Sequence, residues 1–424
     1  MNYKKAKLGN GLRIITVPMK ETQTATVVIT VGVGSRYEKD REAGLSHFIE
    51  HMMFKGTTKR PTALSISEEL DAVGGEYNAY TSKDSTGYYV KVDARHLELA
   101  LDVVSDMYLN SKIDEKEIEK EKGTILQELN MYEDTPVTNT WSVFEELLYK
   151  KNPLGRDIIG TKETIQNFER TDFINYIKKF YTANDTVICI AGKFDEKKIK
   201  SQVQKYFAKM LKGKKAKVEE IKGKQKKSEL KIKFKKTDQT HLILGVKAYG
   251  ENHKDRFALS LLSVILGGNM SSRLFIEVRE KRGLAYYIRT GVEAFADCGY
   301  LASNAGVEHK NLEKAIEVIL EEYKKISTEL VSIKELQKAK DFIKGKSLMG
   351  LEASDEVAMF FISQELRKKK IMKIEEIFAK IDKVKAEDVL RVAQDIFQNA
   401  KLNLAVIGPH RDSGKISALL KIYE

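Results

Sequence analysis

The chain has 424 residues, 42% hydrophobic and 32% charged, with only five prolines and 27 glycines. That length supports two to three domains with cores of their own, and the few prolines and glycines argue against a disordered or collagen-like chain. The formal charge of +12 invites a nucleic-acid or anionic-membrane reading, but 13 lysines and three glutamates between Lys209 and Lys236 supply ten of those twelve units.

In chain order, residues 12–17 and 26–33 are rich in β-branched side chains and are predicted strands, followed by predicted helices over 44–54 and 63–73. A strand is predicted over 86–92 and helices over 97–109 and 114–132, where apolar residues recur at three- and four-residue spacing. The lysine-rich stretch carries no aromatic residue before Phe234, and it reads as a solvated linker rather than a nucleic-acid surface. It leads into an alternating strand that starts at Leu230. A strand over 242–246 and helices over 255–266, 311–326 and 333–349 follow.

Within 333–349, Gly345-Lys346-Ser347 is a chance tripeptide, because Lys340 stands where a phosphate loop needs its upstream glycine. No apolar run reaches the roughly 18–20 residues of a membrane-spanning helix, and no signal-peptide core precedes the first strand. With two cysteines, Cys189 and Cys298, the expectation is a cytoplasmic protein without a disulfide framework, a nucleic-acid partner or a membrane partner.

The linker divides two similar halves. At a shift of 215, the segment 97–103 falls on 312–318. Leu45 and Ser46 fall on Leu259 and Ser260 at a shift of 214, and 117–120 falls on 335–338 at a shift of 218. The expectation is an α+β fold made of two homologous domains, each a mainly antiparallel sheet with helices packed on it. Their extents are 1–208 and 230–424, with 209–229 as the linker.

His47-Phe-Ile-Glu50-His51 is the segment richest in chemistry. On a helix, residues three and four apart share a face, so both imidazoles and the Glu50 carboxylate can converge on one point. Two neutral histidines and a carboxylate suit zinc or a similar divalent ion, and the surrounding Phe48, Ile49, Met52, Met53 and Phe54 are too apolar for an exposed helix. On the helix predicted over 114–132, Ile118, Glu121, Ile125, Glu128 and Tyr132 form one stripe, which turns two acids inward, where a cation is the obvious partner. The second half serves as an internal control. Leu261, Val264, Ile265, Ala339 and Lys346 stand at the positions of His47, Glu50, His51, Glu121 and Glu128, so all five polar groups are lost together.

His-x-x-Glu-His is the inverted zinc-peptidase order, and the chain resembles the family of pitrilysin, insulin-degrading enzyme and mitochondrial processing peptidase. The resemblance runs nearly end to end. It includes Leu-Gly-Asn-Gly-Leu-Arg at 8–13, Gly-Val-Gly-Ser-Arg-Tyr-Glu at 32–38, the segment 44–57 around the histidines, Asn-Ala-Tyr-Thr at 78–81, and residues 270–286. The family's spacing between its second histidine and its remote glutamate, counted on from His51, lands on Glu128, and Glu121 matches the family's second acid.

The resemblance implies one zinc per chain, bound by His47, His51 and Glu128, with Glu50 as general base and Glu121 orienting a ligand histidine. It implies that Arg279 and Tyr286 hold substrate and stabilise the oxyanion, and that the strand containing Asn78, Ala79, Tyr80 and Thr81 pairs with an extended peptide. The activity implied is a zinc metalloendopeptidase acting on oligopeptides or unfolded chains in a closed chamber. Four such domains form that chamber in the family, so the two here imply a homodimer in which the Arg/Tyr pair reaches the other subunit's zinc. The alternative is a noncatalytic partner or assembly subunit on the same fold.

Overall fold

The computed structural model describes residues 1–221, 225–368 and 370–423, so positions 222–224 of the lysine-rich linker lie outside the described residues. The chain forms two compact units. Unit 1 comprises Met1–Asn130, Arg156–Glu219 and Leu348–Lys373, and unit 2 comprises Met131–Gly155, Glu220–Ser347 and Ile374–Glu424. Among the described residues no helix is long and apolar enough to cross a membrane.

Unit 1 is built on strands β1 (Lys4–Lys7), β2 (Arg13–Pro18), β3 (Thr24–Val31), β4 (Glu76–Thr81), β5 (Thr86–Asp93) and β6 (Thr186–Gly192). They lie in the order β1-β2-β6-β3-β5-β4, with β2 and β6 parallel and every other neighbour antiparallel. Central strand β3 is buried along nearly its whole length, which requires cover on both faces. One face carries Ala25, Val27, Ile29 and Val31 into a core shared with helices α1 (Leu45–Met52), α2 (Ala63–Asp71) and α3 (Leu97–Asn110). The other face lies under the helix Ser354–Arg367, whose Ser354 hydroxyl is 2.8 Å from Thr26 Oγ1.

Unit 2 repeats the plan with β7 (Glu229–Phe234), β8 (Thr240–Ala248), β9 (Ala285–Ala294), β10 (Gly299–Val307) and β11 (Leu402–Gly408). The order β7-β11-β8-β10-β9, again with one parallel pair, is that of β2-β6-β3-β5-β4. Two homologous α+β halves are therefore present.

The compact units do not follow the continuous segments 1–208 and 230–424. Helix α4 (Glu115–Asp134) is followed by α5 (Pro136–Tyr149), and α5 packs on β11, β8 and β7 of unit 2. Its counterpart Ser354–Arg367 stands at the matching place in the second half of the sequence, has the same length, and covers unit 1. Each sheet thus takes one covering helix from the other half of the sequence. The linker's first residues also depart from a freely solvated strand of chain. Met210 is buried, Ala183 donates its N–H to the Leu211 carbonyl at 2.9 Å, and Ala216 donates to the Asp185 carboxylate.

Candidate metal centre

Helix α1 carries the central groups, and its start is held tightly. Gly44 precedes it with φ +96°, and a Cβ there would lie 2.1 Å from the Ile159 carbonyl oxygen, so glycine is needed on both counts. The buried Glu38 carboxylate accepts the N–H groups of Gly44 at 2.9 Å and Ser46 at 2.7 Å, satisfying donors that the first helical turn leaves unpaired. Phe48, Ile49 and Met52 anchor the opposite face in the core. That leaves His47, Glu50 and His51 facing β4 and α4.

One nitrogen from each of His47 and His51 and one oxygen of Glu128 lie within 4.8 Å of one another. Glu128 Oε2 is 3.6 Å from His47 Nε2 and 3.5 Å from His51 Nε2. These gaps are too long for good hydrogen bonds. They match the roughly 3.3–3.5 Å between two ligand atoms each about 2.0–2.1 Å from one tetrahedral ion. His47 Nδ1 is buried with no hydrogen-bond partner. Burial, and then the adjacent His51, push the His47 imidazole down to about 4, so it is neutral and able to act as a ligand at ordinary pH. Two imidazole nitrogens and a carboxylate oxygen form a donor set that fits zinc.

Glu121 lies inward on α4, 3% exposed, and its Oε1 is 2.9 Å from His51 Nδ1. Burial alone would raise its carboxyl, but the hydrogen bonds from His51 and Lys55 outweigh burial and keep it below the ordinary value. Glu121 is therefore ionised and suited to accept an N–H from His51 Nδ1, which would turn Nε2 of the same ring toward Glu128. Lys55, paired with Glu121 at 2.5 Å, escaped the sequence reading. Its place four residues after His51 is the signal that would have marked it. Tyr132, the last member of the predicted inward stripe, is 36% exposed, because it lies past Asn130, where unit 1 ends on α4.

Glu50 is raised above the ordinary carboxyl value, first by burial and also by Glu128, against the lowering effects of Thr81 and His51. Its Oε2 accepts the Thr81 hydroxyl at 2.5 Å. Residues 78–81 lie on edge strand β4 and divide by face. Ala79 and Thr81 turn toward α1, whereas the Tyr80 hydroxyl is 3.1 Å from Thr30 Oγ1 and its ring covers Gly87. Asn78 is exposed and bonds locally to the Ala79 N–H.

Arg279 and Tyr286 both belong to unit 2. The Arg279 guanidinium lies 4.8 Å from the Phe275 ring centre and 5.5 Å from that of Tyr286, which is 75% exposed.

Two family models match the chain: insulinase (peptidase family M16) over residues 13–162, and the peptidase M16 inactive domain over 167–343. A Streptomyces coelicolor protein named as an uncharacterized zinc protease is 34% identical over 415 residues, spanning 96% of this chain and 90% of its own. The crystal structure of a Helicobacter pylori protease superposes with a TM-score of 0.89 at 24% identity, covering 96% of this chain and 99% of that one. A Pseudomonas fluorescens structure described as a peptidase M16 inactive domain gives 0.90 at 18% identity, with 97% and 99% coverage. With an inverted zinc-peptidase motif on α1, an inward carboxylate pair on α4 and full-length similarity to named zinc proteases, the chain belongs to the insulinase-type M16 peptidase family, in its two-domain bacterial form.

Proposed function

We propose that the protein is a zinc-dependent endopeptidase that hydrolyses oligopeptides or unfolded chains, working as a homodimer in a reducing, cytoplasmic compartment. The observation that carries the reading is the convergence of two imidazole nitrogens and the Glu128 oxygen within 4.8 Å. The hydrogen bond that fixes Glu50 beside them supports it.

In this reading His47, His51 and Glu128 hold one zinc ion per chain. Bound there, zinc supplies Lewis acidity for a water and for the scissile carbonyl. Glu121 fixes the His51 ring and its tautomer. Glu50 has Oε2 occupied by Thr81 and offers Oε1 to the attacking water. It takes the proton as the new C–O bond forms, then delivers it to the amine as the C–N bond breaks. The outer edge of β4, which has no strand partner among the described residues, is suited to pair with an extended peptide through its backbone. Arg279, with Tyr286 stacked beside it, is suited to hold substrate and to neutralise developing oxyanion charge.

The test is cleavage of an internally quenched peptide by wild type and Glu50→Gln, with zinc content and molar mass measured on the same samples. The expected result is one zinc per chain and a dimer mass in both, with cleavage lost by at least about a hundredfold in the variant. Equal cleavage would overturn the general-base role. The likeness to a fold described as an inactive domain favours a second reading, a noncatalytic subunit. A zinc-free protein with no cleavage would support it.

A further inference from the structure

Unit 2 has a polar site of opposite sign at the counterpart of the metal centre. In unit 1 the metal-site residues come from α1, edge strand β4 and α4. The corresponding elements of unit 2 are the helix Arg256–Gly267, edge strand β9 and the helix Ile333–Gly350. Together with the turn around Phe275, these enclose an open concavity of about 470 Å³.

Its charged lining is wholly basic, from Arg279, Arg289 and Lys346, and it includes no acidic residue. Lys346 is the counterpart of Glu128, at the same offset that relates Ser354 to Pro136 at the starts of the exchanged helices. A carboxylate ligand in one copy is thus replaced by an ammonium in the other.

Neighbouring cations outside the concavity are already neutralised. Arg273 pairs with Glu335, Arg282 and Lys281 with Glu277, and Lys344 with Asp382. Among the described residues, by contrast, Arg289 and Lys346 make no ion pair. Arg279 has only a distant contact with Glu280 at 3.8 Å. It is held between the Phe275 and Tyr286 rings, which orients the guanidinium without consuming its donors. The site is also built tightly, since a Cβ on Gly267 would lie 2.3 Å from Thr290 Oγ1, so the helix end sits directly against β9.

We propose that this concavity binds a carboxylate of the peptide substrate, from an acidic side chain or from the free C-terminus. The inference rests on the peptidase reading for the identity of its ligand. Arg289 and Lys346, which make no ion pair among the described residues, together with the weakly paired Arg279 in one concavity call for an anion. The free edge of β9 is where an extended peptide could pair, so that a carboxylate on that peptide falls among Arg279, Arg289 and Lys346.

The test uses the full-length Glu50→Gln protein and fluorescence anisotropy with labelled peptides of one sequence in three forms. One has a C-terminal carboxylate with glutamine inside, one a C-terminal amide with glutamate inside, and one a C-terminal amide with glutamine. At least one carboxylate form is expected to bind about tenfold more tightly than the neutral one, and which form does so identifies the source. Adding Arg289→Gln and Lys346→Gln should abolish the preference, whereas Arg289→Lys with Lys346→Arg should retain most of it. Equal affinity for all three peptides, absence of binding, or a preference that survives the glutamine substitutions would overturn the proposal. Cleavage by wild type tests the peptidase reading separately, so peptides cut at equal rates and bound without preference would sink this inference alone.

Discussion

Thr81 donates its hydroxyl to Glu50 Oε2 at 2.5 Å, tying edge strand β4 to helix α1. Within the segment expected to pair with substrate, this side chain instead fixes the group assigned as general base. Thr81→Val, which keeps the shape and removes the donor, is expected to lower kcat by roughly tenfold with zinc content and KM little changed, while Thr81→Ser restores most activity. The pH profile adds a second readout. Thr81 lowers a carboxyl that burial raises, and a base works only when ionised, so the acid limb of kcat/KM should move to higher pH in Thr81→Val. An unmoved limb with unchanged kcat would show that the hydrogen bond is incidental.

Glu121 and Lys55 form the support behind His51. Glu121→Gln is expected to weaken zinc binding by about 10–100-fold, read by competition with a chelator, because an amide can present N–H to His51 Nδ1 and disturb the tautomer. Lys55→Met should have a smaller effect in the same direction. Unchanged zinc affinity in Glu121→Gln would remove it from the site's support.

The N-terminus of α1 makes stability depend on pH. Burial first, against the lowering hydrogen bonds of Ser46 and Gly44 and the charge of Arg156, pushes the Glu38 carboxyl up to about 7. The native state therefore holds this proton more tightly than the unfolded chain does. The associated stabilisation is complete below about 4.5 and is lost as the pH rises through about 7. In urea unfolding, the stability of wild type relative to Glu38→Gln should fall across that window. Glu38→Ala should cost about 2 kcal/mol or more below about 4.5, where two buried N–H groups lose their acceptor, and the cost should shrink as the pH rises through about 7.

The helix exchange predicts where truncation fails. Phe361, 1% exposed on the helix Ser354–Arg367, lies far along the sequence but belongs to unit 1. Phe361→Ala should cost about 3–5 kcal/mol. A fragment ending at residue 208 should expose the Thr26 face of its sheet and aggregate, and co-expression with residues 209–424 should rescue it. A soluble, cooperatively melting fragment would contradict this.

Much of the local structure was legible from spacing alone. The three- and four-residue steps in His47, Glu50 and His51 carried α1 and its polar face, and the stripe on α4 carried Glu121 and Glu128. Sheet order emerged only with the structure. β6 and β11 are short apolar runs whose burial says nothing about which strands flank them. The periodicity of 136–149 and 354–367 marks a buried face without naming the sheet that buries it, so the exchange could not be read. For Thr81, alternation along β4 indicates a face, but its bond to Glu50 depends on the packing of β4 against α1.

The exchanged helices also set the order of events during synthesis. The first sheet can be complete only after residues 354–367 have left the ribosome, so its Thr26 face stays bare while the segments between Gly192 and Ser354 are being translated. The residues proposed to hold zinc belong to the same unit, so the unit that carries them is complete only once residue 367 has been translated. On the proposed peptidase function, that order would keep the unfinished chain, itself unfolded, from being cut by its own active site.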